Sequence, residues 1–197
     1  MTASALDDVA TVSAWLADRL AEDGIEYALS GALALAVHGV PRMTNDVDVS
    51  VFAPQDALES LFDALERAGC IFRRDHARSD AGRMALFRVL LGRVSVDVFL
   101  AFPPHGPAAM QRRVKVAGPD GVERWYSSAE DLAVHKLALF RDRDRDDLAH
   151  LFAAQGERLD LGYVRRWVEA LTEPGDPRRA ELESLAARFV TSASPER

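Results

Sequence analysis

Two aspartates in the stretch of residues 29–51 (LSGALALAVHGVPRMTNDVDVSV) have a spacing that favours metal chemistry. Asp46 and Asp48 alternate with the three valines of the DVDVSV run, so on a strand the valines share one face and the aspartates the other. Two carboxylates so placed repel each other, and each raises the other's pKa unless a cation lies between them. Mg²⁺ typically binds through one or two carboxylates and substrate phosphates. The run therefore predicts a magnesium site.

The residues before these aspartates have the composition of a phosphate-binding turn. Ser30 and Gly31 form a turn where the backbone can approach a phosphate closely, because Gly31 has no Cβ. Residues 32–37 are apolar and predict a short buried helix whose N-terminus directs free N–H groups at the turn. Gly39 and Pro41 then end the helix. The alternative is that Ser30 and Gly31 form an ordinary turn with no role in binding phosphate.

A third carboxylate, Asp97, lies on a later apolar strand. Residues 83–91 and 93–100 predict two strands joined at Gly92 by a tight hairpin turn. An aspartate on such a strand is costly to bury without a partner. Three carboxylates with phosphate oxygens could hold two cations roughly 4 Å apart, which suits in-line displacement at phosphorus. The alternative is that Asp97 is half of a buried ion pair.

Composition limits the possible classes of protein. The 197 residues are 48% hydrophobic and 28% charged, which is typical of a soluble globular protein with a real core. The net charge of -7 argues against general coating of nucleic acid, and the single cysteine, Cys70, excludes a disulfide framework. We find no signal peptide and no apolar run near the about 18 residues of a membrane span. We expect no membrane partner and a cytoplasmic location.

The pattern of elements predicts an α/β (α+β) protein with a mixed β-sheet flanked by helices and followed by a C-terminal helical segment. Helix 5–23 precedes strand 25–29, and short strands continue to residue 126. The predicted domains are residues 1–126, a helical region at 127–190 packed on them, and a frayed tail at 191–197.

The helical region is expected to begin at a capping box. Ser127 and Glu130 have the spacing of such a box, and the helix 129–140 that follows carries Lys136. The charged run 141–147 (RDRDRDD) is most simply a solvated, self-paired surface. Three further helical segments are predicted near residues 146–155, 161–172 and 178–190.

Arginines are concentrated between residues 67 and 93. Seven arginines against two aspartates give this stretch a net charge of +5 in an otherwise acidic chain. A shared arginine face could bind RNA phosphates. It could equally do no more than solubilise one face of the sheet.

The segment SGALALAVHGVPRMTNDVDV resembles the motif of the polymerase-β-type nucleotidyltransferase superfamily, in which a glycine turn and a short helix precede Asp-x-Asp. It is most similar to small bacterial members with an HG-x-x-R-x-T-x-D-x-D signature, relatives of abortive-infection toxins and of aminoglycoside and lincosamide nucleotidyltransferases. The matching positions are 38–39, Arg42, Thr44, Asp46 and Asp48. The resemblance covers residues 25–152, since the later stretch SAEDLAVHKLALFRDRDRDDLAHL is also similar. One departure is that Ser-Gly replaces the usual Gly-Gly or Gly-Ser turn.

The resemblance implies the nucleotidyltransferase fold and a role for each matching residue. Asp46, Asp48 and Asp97 would ligate Mg²⁺ as catalytic residues, and Asp97 could orient or deprotonate the acceptor hydroxyl. The residues implied in binding the nucleoside triphosphate are Ser30, Gly31, Arg42, Thr44 and Lys136. Arg42 and Thr44 could instead only order the loop, and Lys136 could be a solvated surface residue.

The function implied is Mg²⁺-dependent transfer of a nucleoside monophosphate from an NTP to an acceptor hydroxyl, with release of pyrophosphate. The acceptor would be RNA, such as tRNA, in a toxin-like activity with a possible cognate protein partner, or a small hydroxylated molecule. One alternative is an inactive antitoxin or regulatory protein with this fold. Three clustered, mutually repelling carboxylates argue against that alternative. Another is an unrelated α/β phosphohydrolase.

Overall fold

The computed structural model of the chain describes residues 6–101 and 104–190. It divides into two compact units. The first comprises the residues up to 33 together with 43–127, and the second comprises 34–42 together with the residues from 128 onward. The predicted tail at 191–197 lies outside the described residues, and the predicted domain boundaries stay a prediction.

The first unit is built on a six-stranded mixed sheet, which confirms the predicted fold class. Its strands lie in the order β3-β4-β2-β1-β6-β5. The pairs β2–β4 and β1–β6 are parallel, and the other neighbouring pairs are antiparallel. The elements follow in the order α1 (Val9–Glu22), β1 (Tyr27–Leu29), α2 (Gly31–Val37), β2 (Asp46–Val51), α3 (Leu58–Arg67), α4 (Arg74–Met84), β3 (Leu86–Leu91), β4 (Val94–Leu100), α5 (His105–Arg112), β5 (Val114–Ala117) and β6 (Glu123–Tyr126).

One face of the central strands forms the core of this unit. The valines of β2 and β4 on that face are fully buried, and α1 packs across β1, β2 and β6. Phe62 of α3 meets Phe87 of β3 edge to face, with ring centroids 5.3 Å apart. Because side chains alternate along a strand, burial of the valines leaves the polar residues of β2 and β4 on the opposite face.

Helix α4 was not predicted from the sequence. It buries only two of its side chains, Ala77 and Ala81, so it lacks the apolar stripe that marks most surface helices. Ion pairs connect it to α3 instead: Arg74 bonds Asp63 and Glu66, and residue 78 bonds residue 59. A helix stabilised in this way leaves little hydrophobic signal in the sequence.

The arginines between residues 67 and 93 do not form an unpaired basic surface. Six of the seven pair with aspartate or glutamate, and these are Arg67, Arg73, Arg74, Arg78, Arg83 and Arg88. Several of their partners lie outside the stretch, at the C-cap of α1, on α3 and on β4. The local positive excess on which the RNA-binding expectation rested is therefore largely balanced within the protein.

The second unit is helical, with α6 (Ala129–Leu139), α7 (Asp142–Gln155), α8 (Leu161–Leu171) and α9 (Pro177–Phe189). Helix α6 packs on α7 and α8, and α9 packs on all three. Its buried residues include Leu132, Leu151 and Phe152. Helix α7 begins four residues earlier than predicted, so most of the charged run 141–147 lies inside a helix.

The predicted capping box is displaced by one residue. Ser128, not Ser127, caps α6: its hydroxyl accepts from the Asp131 N–H at 3.1 Å and donates to the Asp131 carboxylate at 2.6 Å. Ser127 instead continues from β6, where its N–H donates to the carbonyl of Leu29. Adjacent serines give the same sequence signal, and only one of them can occupy the N-cap.

Across the helices of the described residues, none is both long enough and apolar enough to cross a bilayer. The expected cytoplasmic location stays a prediction.

Candidate functional site

Three aspartates lie on one face of the sheet because of the way β2 and β4 pair. The two strands run parallel in a register that sets Asp46 opposite Ser95 and Asp48 opposite Asp97. Neighbouring strands lie about 4.8 Å apart, and residues two apart on one strand point the same way. The sheet therefore places the three predicted metal ligands side by side.

The predicted phosphate turn lies directly against Asp48. Gly31 has φ +54°, and a Cβ added to it would lie 1.7 Å from Asp48 Oδ2. The N–H of Ser30 donates to the Asp48 carbonyl at 2.8 Å, and Ser30 is buried. Only glycine fits at position 31, because any side chain would occupy the volume of the carboxylate and would also need a left-handed backbone.

Thr44 lies beside the first aspartate. Its hydroxyl hydrogen-bonds a carboxylate oxygen of Asp46 and accepts from the Asp46 N–H at 3.4 Å. This contact fixes both the entry into β2 and the direction of the Asp46 side chain. The contact that the structure shows is the loop-ordering one, and a role for Thr44 in nucleotide binding stays a prediction.

Asp97 pairs with an arginine of the edge strand. Arg88 donates from Nε to Asp97 Oδ1 at 2.5 Å and from Nη2 to Oδ2 at 2.8 Å. The hydrogen bonds to Asp97 and its charge raise the pKa of Arg88, with smaller contributions from Asp46 and Asp48. Asp97 is thus half of an ion pair, as the alternative expected, but the pair is not buried, because the Arg88 side chain is 66% exposed.

The sequence contained a signal for this pair. The hairpin turns at Gly92 and Arg93, so counting back equally along both strands sets Arg88 opposite Asp97, as the observed register does. Cross-strand pairs of opposite charge are a usual feature of antiparallel strands. Arg88 is also one of the seven clustered arginines of residues 67–93, and that grouping conceals its pairing with Asp97 in the sequence.

The aspartates supply the oxygen ligands that suit Mg²⁺. Asp46 and Asp48 on one strand fit the common arrangement of one or two carboxylates completed by phosphate oxygens. Among residues 6–101 and 104–190, no three histidine, cysteine, aspartate or glutamate side chains are gathered to hold one metal ion. Both oxygens of Asp97 bond Arg88, so the guanidinium occupies the side of the carboxylate that a chelated cation would use.

Lys136 belongs to a buried charge cluster in the second unit. Its Nζ lies 2.5 Å from Asp147 Oδ2 and 3.4 Å from Asp144 Oδ1, and all three side chains are less than a tenth exposed. Arg42 Nε lies 3.2 Å from the other oxygen of Asp147. The surface alternative for Lys136 is therefore wrong. In the charged run, Asp144 and Asp147 are buried and the other five residues are exposed, so the solvated interpretation holds for most of the run. Arg42 and Lys136 share one carboxylate.

Asp144 of this cluster stays ionised despite its burial. Burial raises the pKa of Asp144, but the hydrogen bond from Arg141 and the charge of Lys136 outweigh it, so the pKa lies below its ordinary value. The segment before Arg42 is also fixed to α7, because Gln155 Nε2 donates to the His38 carbonyl at 2.7 Å. Polar contacts with α7 thus hold both ends of residues 38–42.

The comparison with protein families places the chain in the class of nucleotidyltransferases. Residues 12–181 match the model of one family within it, described as a nucleotidyltransferase of unknown function (DUF6036). The match spans most of the chain, which therefore belongs to this family and is an enzyme that transfers nucleotidyl groups. No curated protein matches the sequence significantly.

Solved structures with a similar fold include ANT(2'')-Ia. Its crystal structure in complex with adenylyl-2''-tobramycin has a TM-score of 0.50 and 13% identity, and the match covers 92% of this chain and 98% of that one. The solution structure of the antibiotic-resistance factor ANT(2'')-Ia has a TM-score of 0.47 and 15% identity, covering 91% and 90%. At this identity the first similarity establishes a shared fold.

The contact between Gly31 and Asp48 predicts an unequal cost for two glycine substitutions. Gly31→Ala adds strain at positive φ and forces the carboxylate to move, so we expect it to lose about 2 kcal/mol more stability than Gly24→Ala. Gly24 is the matched control, because its φ is +69° and a Cβ there meets no atom within 4 Å. Urea unfolding measures the stability of both variants. An equal loss of stability in the two would contradict the prediction and show that the Asp48 side chain can rotate away freely.

The buried cluster predicts a large effect of removing its lysine. Lys136→Met leaves two buried carboxylates short of a cation, so we expect the free energy of unfolding to fall by about 3 kcal/mol. The control is Arg165→Met, which removes an exposed pair with Glu183 and is expected to cost less than about 1 kcal/mol. Urea unfolding measures both variants. A similar loss of unfolding free energy in the two would contradict the placement of Lys136 in a buried charge cluster.

Proposed function

We propose that this enzyme transfers a nucleoside monophosphate from an NTP to a hydroxyl of a small molecule, with Mg²⁺ held by Asp46 and Asp48. The observation that carries the proposal is the aspartate face of β2 and β4, with the Gly31 turn packed against Asp48. Mg²⁺ would supply neutralisation of the charge on the triphosphate. The chain itself positions the two substrates for in-line displacement.

In this reaction the acceptor oxygen forms a bond to the α-phosphorus, and the bond from that phosphorus to the pyrophosphate oxygen breaks. Asp97, once released by Arg88, would orient the acceptor hydroxyl and take its proton. Ser30 and Gly31 would hold the triphosphate through their backbone. Arg42 and Lys136 both contact the carboxylate of Asp147. Either side chain could therefore bind the triphosphate only while sharing its charge with Asp147.

A small acceptor is favoured over RNA by the distribution of charge. The chain has a net charge of -7, and most of its concentrated arginines pair with neighbouring carboxylates. An acidic protein attracts a cationic hydroxylated molecule and repels a polyanion. The structure of similar fold, ANT(2'')-Ia, is in complex with adenylyl-2''-tobramycin, a small molecule that carries an adenylyl group. The toxin-like transfer to RNA and a cognate protein partner stay predictions of the resemblance.

Replacing one aspartate tests the proposal. Asp48→Asn keeps the shape of the side chain and removes its charge, so we expect transfer from α-labelled NTP to fall by at least about a hundredfold while the circular dichroism spectrum is unchanged. Asp56→Asn, on the exposed turn before α3, is the control and should retain activity. Chelation by EDTA should abolish the wild-type activity.

The assay uses each of the four NTPs with a panel of aminoglycosides and, separately, with total tRNA. Label on an aminoglycoside supports the proposal. Label on tRNA alone would overturn the small acceptor while retaining the transfer. Full activity of Asp48→Asn would exclude the aspartate face as the catalytic site.

A further inference from the structure

We infer that Arg88 is a positioning residue that competes with the divalent cation for Asp97, so that Asp97 is available to the site only after Arg88 has left it. The inference rests on the proposed function, because it concerns the same aspartate face. It goes further by assigning a residue of the edge strand β3 to the control of that site.

The geometry of the ion pair carries the first part of the argument. The two residues face each other across the antiparallel β3–β4 pair, and two parallel hydrogen bonds join them at 2.5 and 2.8 Å. This bidentate arrangement uses both carboxylate oxygens in the plane where a metal ion would bind. Arg88 occupies one lone pair on each oxygen, on the side where a chelated cation would bind, and its positive charge opposes a cation at the lone pairs that remain.

The exposure of the two side chains shows which of them can move. The side chain of Asp97 is 14% exposed, whereas that of Arg88 is 66% exposed. An exposed arginine gains little from an ion pair, since screening and side-chain entropy offset the attraction. Asp97 is fixed on a central strand between buried valines. Arg88 can therefore leave at little cost while Asp97 stays in place.

The negative charge of the site is what the Arg88–Asp97 ion pair offsets. Asp46, Asp48 and Asp97 share one face and repel one another in the absence of a cation. Arg88 lies beside this face, because it bonds Asp97 directly and Asp97 lies opposite Asp48 across the β2–β4 pair. It thus serves as a built-in counter-charge that stabilises the carboxylates before substrate and metal ion arrive.

Two consequences follow for binding. Asp46 and Asp48, which lie two residues apart on one strand, would receive the first cation. Asp97 would contribute only when the cation displaces the guanidinium, so the wild-type site should bind divalent ions more weakly than a site with three available carboxylates.

The test measures Mn²⁺ binding by electron paramagnetic resonance, with no nucleotide present, in wild type and variants of the full chain. Arg88→Met should bind Mn²⁺ roughly threefold to fivefold more tightly, which is the scale of one exposed ion pair. Arg88→Lys keeps the positive charge but lacks the planar guanidinium, so its affinity for Mn²⁺ should lie between those of wild type and Arg88→Met. Without metal, Arg88→Met should also have a slightly lower melting temperature, because the carboxylates lose their counter-charge.

A double-mutant cycle with Asp97→Asn separates competition from a general effect of charge. If Arg88 acts through Asp97, Arg88→Met will not tighten Mn²⁺ binding in the Asp97→Asn background. A gain that persists there, or an affinity unchanged by Arg88→Met, overturns the inference while leaving the proposed function intact. The proposed function fails separately if wild type and Asp48→Asn bind Mn²⁺ alike, and absence of binding in every variant overturns both.

Discussion

The parallel pairing of β2 with β4 is the constraint on which the site depends. It sets Asp48 opposite Asp97, and the alternation of side chains places Asp46 on the same face. The buried valines of both strands fix that register, since a shift by one residue would exchange the two faces. Apolar packing on one side of the sheet therefore determines where the carboxylates lie on the other.

The two units bury charge in different amounts. In the first, ion pairs such as those between α3 and α4 lie at the surface, and apolar side chains form the core. In the second, Lys136, Asp144 and Asp147 lie among the buried residues of α6 and α7. A buried cluster of this kind contributes less to stability than its short distances suggest, because desolvation offsets the attraction. Its main effect is to fix which groups face one another.

Much of the sheet and of the aspartate face could be predicted from the sequence, because alternating valines determine both a strand and its faces. Helix α4 could not, because ion pairs rather than an apolar stripe stabilise it. The burial of Lys136 was missed for a related reason: its partners lie in a run of alternating charges that is typical of a solvated helix. The Arg88–Asp97 pair was recoverable by counting from the hairpin turn, but only once that turn had been fixed at residues 92 and 93.

The division of the chain also limits how the protein can be dissected. The second unit is discontinuous in sequence, because residues 34–42 belong with the helices that begin at residue 128. A fragment starting at residue 128 would lack Arg42, the neighbour of Asp147, and the His38 carbonyl that accepts from Gln155. A cut at that position would therefore expose surfaces that the intact chain covers, and a linear boundary chosen from the order of elements would not yield a self-contained module.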